Sequence, residues 1–116
     1  MENLMLSFEM LQAIASMHPD GFTVSTENFA PVNSGFAVAV ADTQNSFGNY
    51  GLAKVIAYIS KHKEINAVGG WYNSENKQYY FDATIIVEDR ETAIKLGREN
   101  KQIAIFDLNN MQEIRL

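Results

Sequence analysis

The sequence contains no cysteine, no long apolar run and no excess of basic side chains. The lack of cysteine excludes disulfides, thiolate nucleophiles and thiolate-bound zinc. A membrane-spanning helix needs about 20 apolar residues, and residues 1–12 have neither the basic start nor the cleavage motif of a signal peptide. These absences predict a cytoplasmic protein that makes no membrane contact.

The charge is acidic overall, with a net value of −5 from 9 Lys and Arg and 14 Asp and Glu. Phosphate binding usually requires clustered basic side chains, so nucleic acid is an unfavoured partner. The carboxylates are scattered along the chain. That pattern favours a role in solubility over mimicry of nucleic acid.

Length and composition predict one globular domain over residues 1–116. A chain of 116 residues with 47% hydrophobic and 20% charged residues can build a real core. Residues 68–87 then carry a β-hairpin signal, because two strand-like runs, 68–72 and 78–87, flank the polar turn 73–76. Along the second run, side chains alternate between two faces.

A helix is predicted after this hairpin. Asp89 can cap its start, Gly97 would allow close approach to a sheet, and Asn100 suits the left-handed residue that ends a helix. Residues 103–108 then form a strand that is apolar on both faces, which predicts a position inside the sheet.

The C-terminus is predicted to form a second hairpin. A two-residue turn at Asn109-Asn110 would pair Ile105 with Ile114 and Ile103 with Leu116. Ile103 and Ile105 would share one face of the sheet. The last residues would then be an ordered edge strand.

The N-terminal part begins with a predicted helix that Asn3 caps and that runs to about Met17. Leu4, Phe8, Leu11 and Ala15 recur at helical spacing. The methionines around this stripe could form an adaptable binding face, but we expect them to fill gaps in the core.

Two strands and a second helix follow. Residues 21–25 and 35–42 form the strands, and the second has an all-alanine face (Ala37, Ala39 and Ala41) that suits a closely docked helix. The second helix opens at residues 48–51 and ends at the basic cluster Lys61-His62-Lys63. The overall order is α-β-β-α-β-β-α-β-β, which predicts an α+β domain with three helices on a mainly antiparallel sheet.

The C-terminal pattern resembles a small accessory domain found in proteins of phages, plasmids and conjugative elements. The resemblance is carried by Gly69-Gly70-Trp71, by Tyr79-Tyr80-Phe81-Asp82 and by the run from Glu99 to Leu108. It covers residues 69–108 and, more weakly, 35–42. It implies a mobile-element context and carries no catalytic residues or activity with it.

The sequence predicts no catalytic, cofactor-binding or metal site. His18 and His62 lack metal-ligand spacing, and no serine lies in a nucleophile elbow. Asp82 and Asp107 could face each other on neighbouring strands, but hydrogen-bonded structural roles are favoured. An anion or nucleic-acid site at Gly48 and Asn49, together with Lys61 and Lys63, is the alternative. The favoured roles of these four residues are a helix start and cations at a helix end.

Aromatic residues form the most distinctive candidate site. Trp71 and Tyr72 could pair across the hairpin with Tyr79 and Tyr80 and give each face an aromatic pair. One face should be core, and the other could bind a protein. We therefore predict a non-enzymatic accessory protein that binds another protein. Its candidate contact surfaces are this hairpin and the loop 25–34. Inhibition of a host defence complex is one form of that function; the alternatives are a nucleic-acid or nucleotide-binding module and an enzyme with an unrecognised site.

Overall fold

The computed structural model describes residues 4–116, and the predicted order of helices and strands is confirmed. A short 3-10 helix and a two-residue strand, β3, are additional. The helices are α1 (Leu4–Met17), α2 (Gly48–Lys61) and α3 (Arg90–Glu99), and the 3-10 helix is Ala41–Thr43. The strands are β1 (Phe22–Ser25), β2 (Phe36–Ala39), β3 (Ser46–Phe47), β4 (Ala67–Asn73), β5 (Gln78–Val87), β6 (Ala104–Asp107) and β7 (Gln112–Arg115).

The strands form one antiparallel sheet in the order β1-β4-β5-β2-β6-β7, with β3 beside β5. Two of the predicted strand pairs are hairpins, β4–β5 and β6–β7. The first pair is not, because β1 and β2 lie on opposite sides of the β4–β5 hairpin. Sequence order alone does not specify such non-local pairing. As predicted, β6 is interior and β7 is an edge strand.

All three helices contribute core residues to one face of the sheet. Leu11 of α1 and Leu52 of α2 join a cluster with Phe81 and Ala83. Ala93 of α3 joins a second cluster with Phe36, Val38 and Ile105. Among the described residues, no helix packs on the opposite face, which carries Ala37, Ala39, Trp71, Tyr80 and Asp82; we call it the open face.

The prediction for the alanine strand is therefore wrong. The helix that contacts β2 is α3, and it packs on the side of Phe36 and Val38. Ala37 and Ala39 lie on the open face and are half-buried by their neighbours in the sheet. Small residues suit a docked helix and a bare sheet face alike, so composition could not decide between them.

The prediction that the methionines of α1 fill the core is also wrong. Met5, Met10 and Met17 are all exposed, whereas Leu11 is fully buried. Helix α1 lies against α2 in an outer layer, so only one of its sides is covered. Two parts of these predictions, the cap at Asn3 and the core position of Met1, lie outside the described residues.

Helix α3 begins as predicted, since the Asp89 carboxylate accepts a hydrogen bond from the Thr92 backbone N–H. It ends differently, because the left-handed residue is Lys101, with φ of 56°, rather than Asn100. The Asn100 side chain instead accepts a hydrogen bond from the Ala41 N–H at 3.0 Å and so connects α3 to the 3-10 helix. Gly97 is buried against Ile105, as expected.

The C-terminal hairpin keeps the predicted register, with Ile105 opposite Ile114. Its turn is longer than two residues, because the strands end at Asp107 and restart at Gln112. The Asp107 carboxylate accepts hydrogen bonds from the backbone N–H groups of Asn109 and Asn110 and organises this turn. Ile103 is 72% exposed and lies just before β6, so its predicted burial is wrong. Its predicted pairing is kept, because the Leu116 N–H donates a 2.9 Å hydrogen bond to the Ile103 carbonyl.

Gly51 allows α2 to begin directly beside β3. A Cβ at this position would lie 2.4 Å from the Ser46 carbonyl carbon, which is rigid backbone. The close approach places Phe47, the residue just before α2, against β5. The glycine thus connects helix packing to the position of an aromatic side chain on the open face.

We predict that Gly51→Ala destabilises the protein. Alanine normally stabilises a helix by up to about 1 kcal/mol relative to glycine, but overpacking here should cost about 1–3 kcal/mol. Urea unfolding of the wild type and of Gly51→Ala shows whether the substitution lowers or raises the free energy of unfolding. Ala57→Gly, at an exposed position of the same helix, reports the helix propensity alone. A more stable Gly51→Ala protein would contradict the close contact between α2 and β3.

Candidate functional site

The β4–β5 hairpin pairs its aromatic residues in the predicted register. Trp71 lies opposite Tyr80, and Tyr72 lies opposite Tyr79. Directly opposed residues of an antiparallel pair share a face. The four predicted aromatics therefore divide into two pairs on opposite faces and do not form one surface.

Tyr79 belongs to the core side. Its ring stacks on Phe22 at 6.1 Å and contacts Phe81 at 5.3 Å between ring centroids. Its hydroxyl donates a 2.7 Å hydrogen bond to the His18 carbonyl, and burial raises the pKa of Tyr79 to about 12. Tyr79 therefore packs against the core. Its strand partner Tyr72 remains 44% exposed.

The open face carries three aromatic rings in contact. Trp71 and Tyr80 stack at 4.7 Å with an interplanar angle of 16°, and Phe47 meets Tyr80 at 5.3 Å. Trp71 is 47% exposed and Phe47 is 44% exposed. The Asn76 side chain donates a 2.7 Å hydrogen bond to the Tyr80 hydroxyl. We call Phe47, Trp71 and Tyr80 the aromatic cluster; its rings are held in place yet accessible.

Phe47 was not predicted as part of this site. It lies in the two-residue strand β3, which pairs with β5 far along the chain. A pairing this short and this distant leaves no periodicity in the sequence. The one available signal was a large apolar residue in a polar loop, directly before a helix.

Asp82 is the next open-face residue of β5 after Tyr80, and it lies opposite Gly69. Its carboxylate accepts a hydrogen bond from the Thr84 hydroxyl. Burial raises the pKa of Asp82, and the Thr84 hydrogen bond opposes that effect. Among the described residues, no cation pairs with this carboxylate; Arg115 pairs with Glu113, and His62 contacts Glu64.

Asp82 and Asp107 do not face each other. They lie on β5 and β6, which β2 separates, and they point to opposite faces, because Asp107 is opposite Phe36 on the core side. A hydrogen bond from the Asn110 side chain, with further ones from the backbone N–H groups of Asn110 and Asn109, lowers the pKa of Asp107. Asp107 therefore organises a turn, and the two carboxylates cannot form an acid–base pair.

The predicted anion site is split between the two ends of α2. Gly48 and Asn49 lie at its start and Lys61 at its end, about 20 Å away at 1.5 Å per residue. The Asn49 side chain accepts a 2.8 Å hydrogen bond from Gln12 and so joins α2 to α1. Lys63 lies beyond the helix. These four residues do not converge on one ligand.

No cluster of three His, Asp or Glu side chains in residues 4–116 could hold a metal ion. No helix in that range has the length and apolarity to cross a membrane. Comparison with protein-family models, curated proteins and solved structures gave no match. The geometry of the open face therefore carries the functional interpretation.

We predict that Asp82→Asn stabilises the protein at neutral pH. The folded-state pKa of Asp82 is raised, so its stabilising contribution is complete below the unfolded pKa and is lost as the pH rises through the folded pKa. Asparagine stays neutral and can still accept the Thr84 hydrogen bond. In urea unfolding at pH 7, the free energy of unfolding should be larger for the variant than for the wild type. This difference in stability should shrink as the pH falls towards 4.

Asp89→Asn is the matched control, and its expected effect on stability at neutral pH has the opposite sign. Hydrogen bonds from Thr92 lower the pKa of Asp89, so its contribution is present above the unfolded pKa and is lost on acidification. This variant should be slightly less stable than the wild type at pH 7. A destabilised Asp82→Asn protein at neutral pH would mean that the ionised carboxylate stabilises the fold.

Proposed function

We propose that this protein is a non-enzymatic accessory protein of a mobile genetic element and that it binds another protein through the aromatic cluster. The observation that carries the proposal is the exposure of Trp71 and Phe47, which both contact Tyr80 on a sheet face that no helix of residues 4–116 covers. Exposed aromatic groups of this kind are typical of binding surfaces. Trp and Tyr also dominate the energetics of protein interfaces.

The cluster is suited to a protein partner because its rings are already ordered. Tyr80 is fixed by Asn76 and by contacts with both neighbouring rings. Trp71 and Tyr80 lie on long paired strands rather than on a loop. Ordering a side chain on binding costs about 0.5–1.5 kcal/mol, and most of that cost is absent here.

The mobile-element context comes from the resemblance over residues 69–108. Its motif Gly69-Gly70-Trp71 and its Tyr79–Asp82 segment lie on the two strands of the hairpin that carries the cluster. Inhibition of a host defence complex is the form of protein binding that fits this context. The expected location is the cytoplasm of the host cell.

Nucleic acid is the less favoured ligand. Aromatic side chains on a sheet can stack single-stranded bases, but such sites also carry a basic groove along the backbone. The protein has a net charge of −5. Asp82 follows Tyr80 on the same face of β5, whereas Lys61 and Lys63 lie at and beyond the end of α2. Phosphates near the cluster would meet a carboxylate.

We predict that Trp71→Ala keeps the fold and weakens partner capture at least roughly 30-fold, the effect of losing a central interface residue worth about 2 kcal/mol. Tagged protein would be used to capture partners from nuclease-treated host lysate. The affinity of the captured protein would then be measured by titration for the wild type and for Trp71→Ala. The unfolding midpoint of Trp71→Ala should stay close to that of the wild type, because nearly half of the ring is already in water.

Tyr72→Ala is the matched control. Tyr72 is nearly as exposed as Trp71 and neighbours it in β4, but it lies on the opposite face. This variant should retain the partner. Equal capture by wild type and Trp71→Ala would refute binding through the cluster. Recovery of nucleic acid alone, from untreated lysate, would favour the alternative ligand.

A further inference from the structure

We propose that the partner inserts an arginine side chain at the open face, where its guanidinium stacks on the aromatic cluster and pairs with the Asp82 carboxylate. This inference rests on the proposed protein-binding function and specifies which group of the partner is recognised. It assigns Asp82 the role of a specificity-determining residue.

Asp82 and the aromatic cluster lie on the same face of the sheet. Asp82 follows Tyr80 on the same face of β5, about 7 Å along the strand. Gly69, opposite Asp82, precedes Trp71 on that face of β4. A Cβ at Gly69 would come within 2.7 Å of the Asp82 Oδ1 atom, so the carboxylate occupies the space above the glycine. The carboxylate therefore lies over Gly69 and next to the Thr84 hydroxyl, on the same face as Trp71 and Tyr80.

The Asp82 carboxylate lacks a countercharge. Its hydrogen bond from Thr84 uses one of about four acceptor positions on an ionised carboxylate. None of the basic side chains in residues 4–116 pairs with it. Burial without a cation disfavours the ionised form and raises the pKa of the group. Such a group lowers stability in the free protein, which is typical of residues kept for binding or catalysis.

An arginine side chain satisfies both parts of this surface. The guanidinium group is planar, stacks on aromatic rings and donates paired hydrogen bonds to a carboxylate. Lysine offers a compact and strongly hydrated charge, which cannot stack in this way. A partner with exposed arginine is also attracted by the net charge of −5. Charge complementarity and ring geometry therefore select the same group.

The experiment uses N-acetyl-arginine N-methylamide as the probe and the NMR signals of the whole protein as the readout. Trp71 is the sole tryptophan, so its indole N–H signal is unique. Millimolar probe should shift this signal and the Gly69 and Asp82 amide signals saturably. The citrulline analogue, which has the same shape without the charge, should shift them at least fivefold less at equal concentration.

Asp82→Asn should weaken probe binding at least fivefold. The variant is expected to fold at least as well as the wild type, so a loss of binding is not a loss of structure. Glu9→Gln removes one negative charge from an exposed position of α1 and should leave probe binding unchanged. Equal shifts with arginine and citrulline probes, or unchanged binding by Asp82→Asn, would overturn the inference.

Capture of the partner from lysate by the two variants tests the arginine site separately from the proposed protein-binding function. Loss of the partner from both Trp71→Ala and Asp82→Asn supports both. Loss from Trp71→Ala alone leaves protein binding intact and refutes recognition through Asp82. Retention by Trp71→Ala refutes binding through the cluster. Shifts of the Trp71 signal by a short oligonucleotide but not by the arginine probe would identify a nucleic-acid surface and refute the inference.

Discussion

The pairing of β5 is the constraint on which the rest of the structure depends. This ten-residue strand pairs along β4 on one side and with β3 and β2 on the other. Its alternate side chains serve both faces, with Phe81 and Ala83 in the core and Tyr80 and Asp82 on the open face. A slip of one residue would exchange the two sets. Burial of the core therefore also fixes the position of the candidate site.

Local signals were sufficient for much of the fold. The β4–β5 register, the cap at Asp89 and the close approach at Gly97 each depend on residues near in sequence or on one side chain. The positions that sequence reasoning missed depend on distant segments. Phe47 reaches the site only because Ser46 and Phe47 pair with β5. The separation of β1 from β2 likewise depends on which strand each one meets across the sheet, and alternation does not encode that choice.

Which face carries no helix was not predicted, for a related reason. Both faces of β5 carry apolar or aromatic side chains, so periodicity could locate the faces without telling which one the helices cover. Ala93 and Gly97 let α3 lie close to Val38 and Ile105, on the face opposite to Tyr80 and Trp71. The larger Tyr80 and Trp71 were left to pack on each other. The sequence thus predicted the aromatic pairs, and three-dimensional packing determined which of them is accessible.

The aromatic cluster and Asp82 share an energetic character that links stability to function. Each places a group in surroundings that the free protein satisfies only in part: rings in water for Phe47 and Trp71, and a half-buried carboxylate without a cation for Asp82. Both are carried by strands whose other faces form the core, so the fold can bear these costs without losing local order. A partner that covers the rings and supplies a cation relieves both costs at once. Part of the binding free energy would then come from removing interactions that destabilise the free protein.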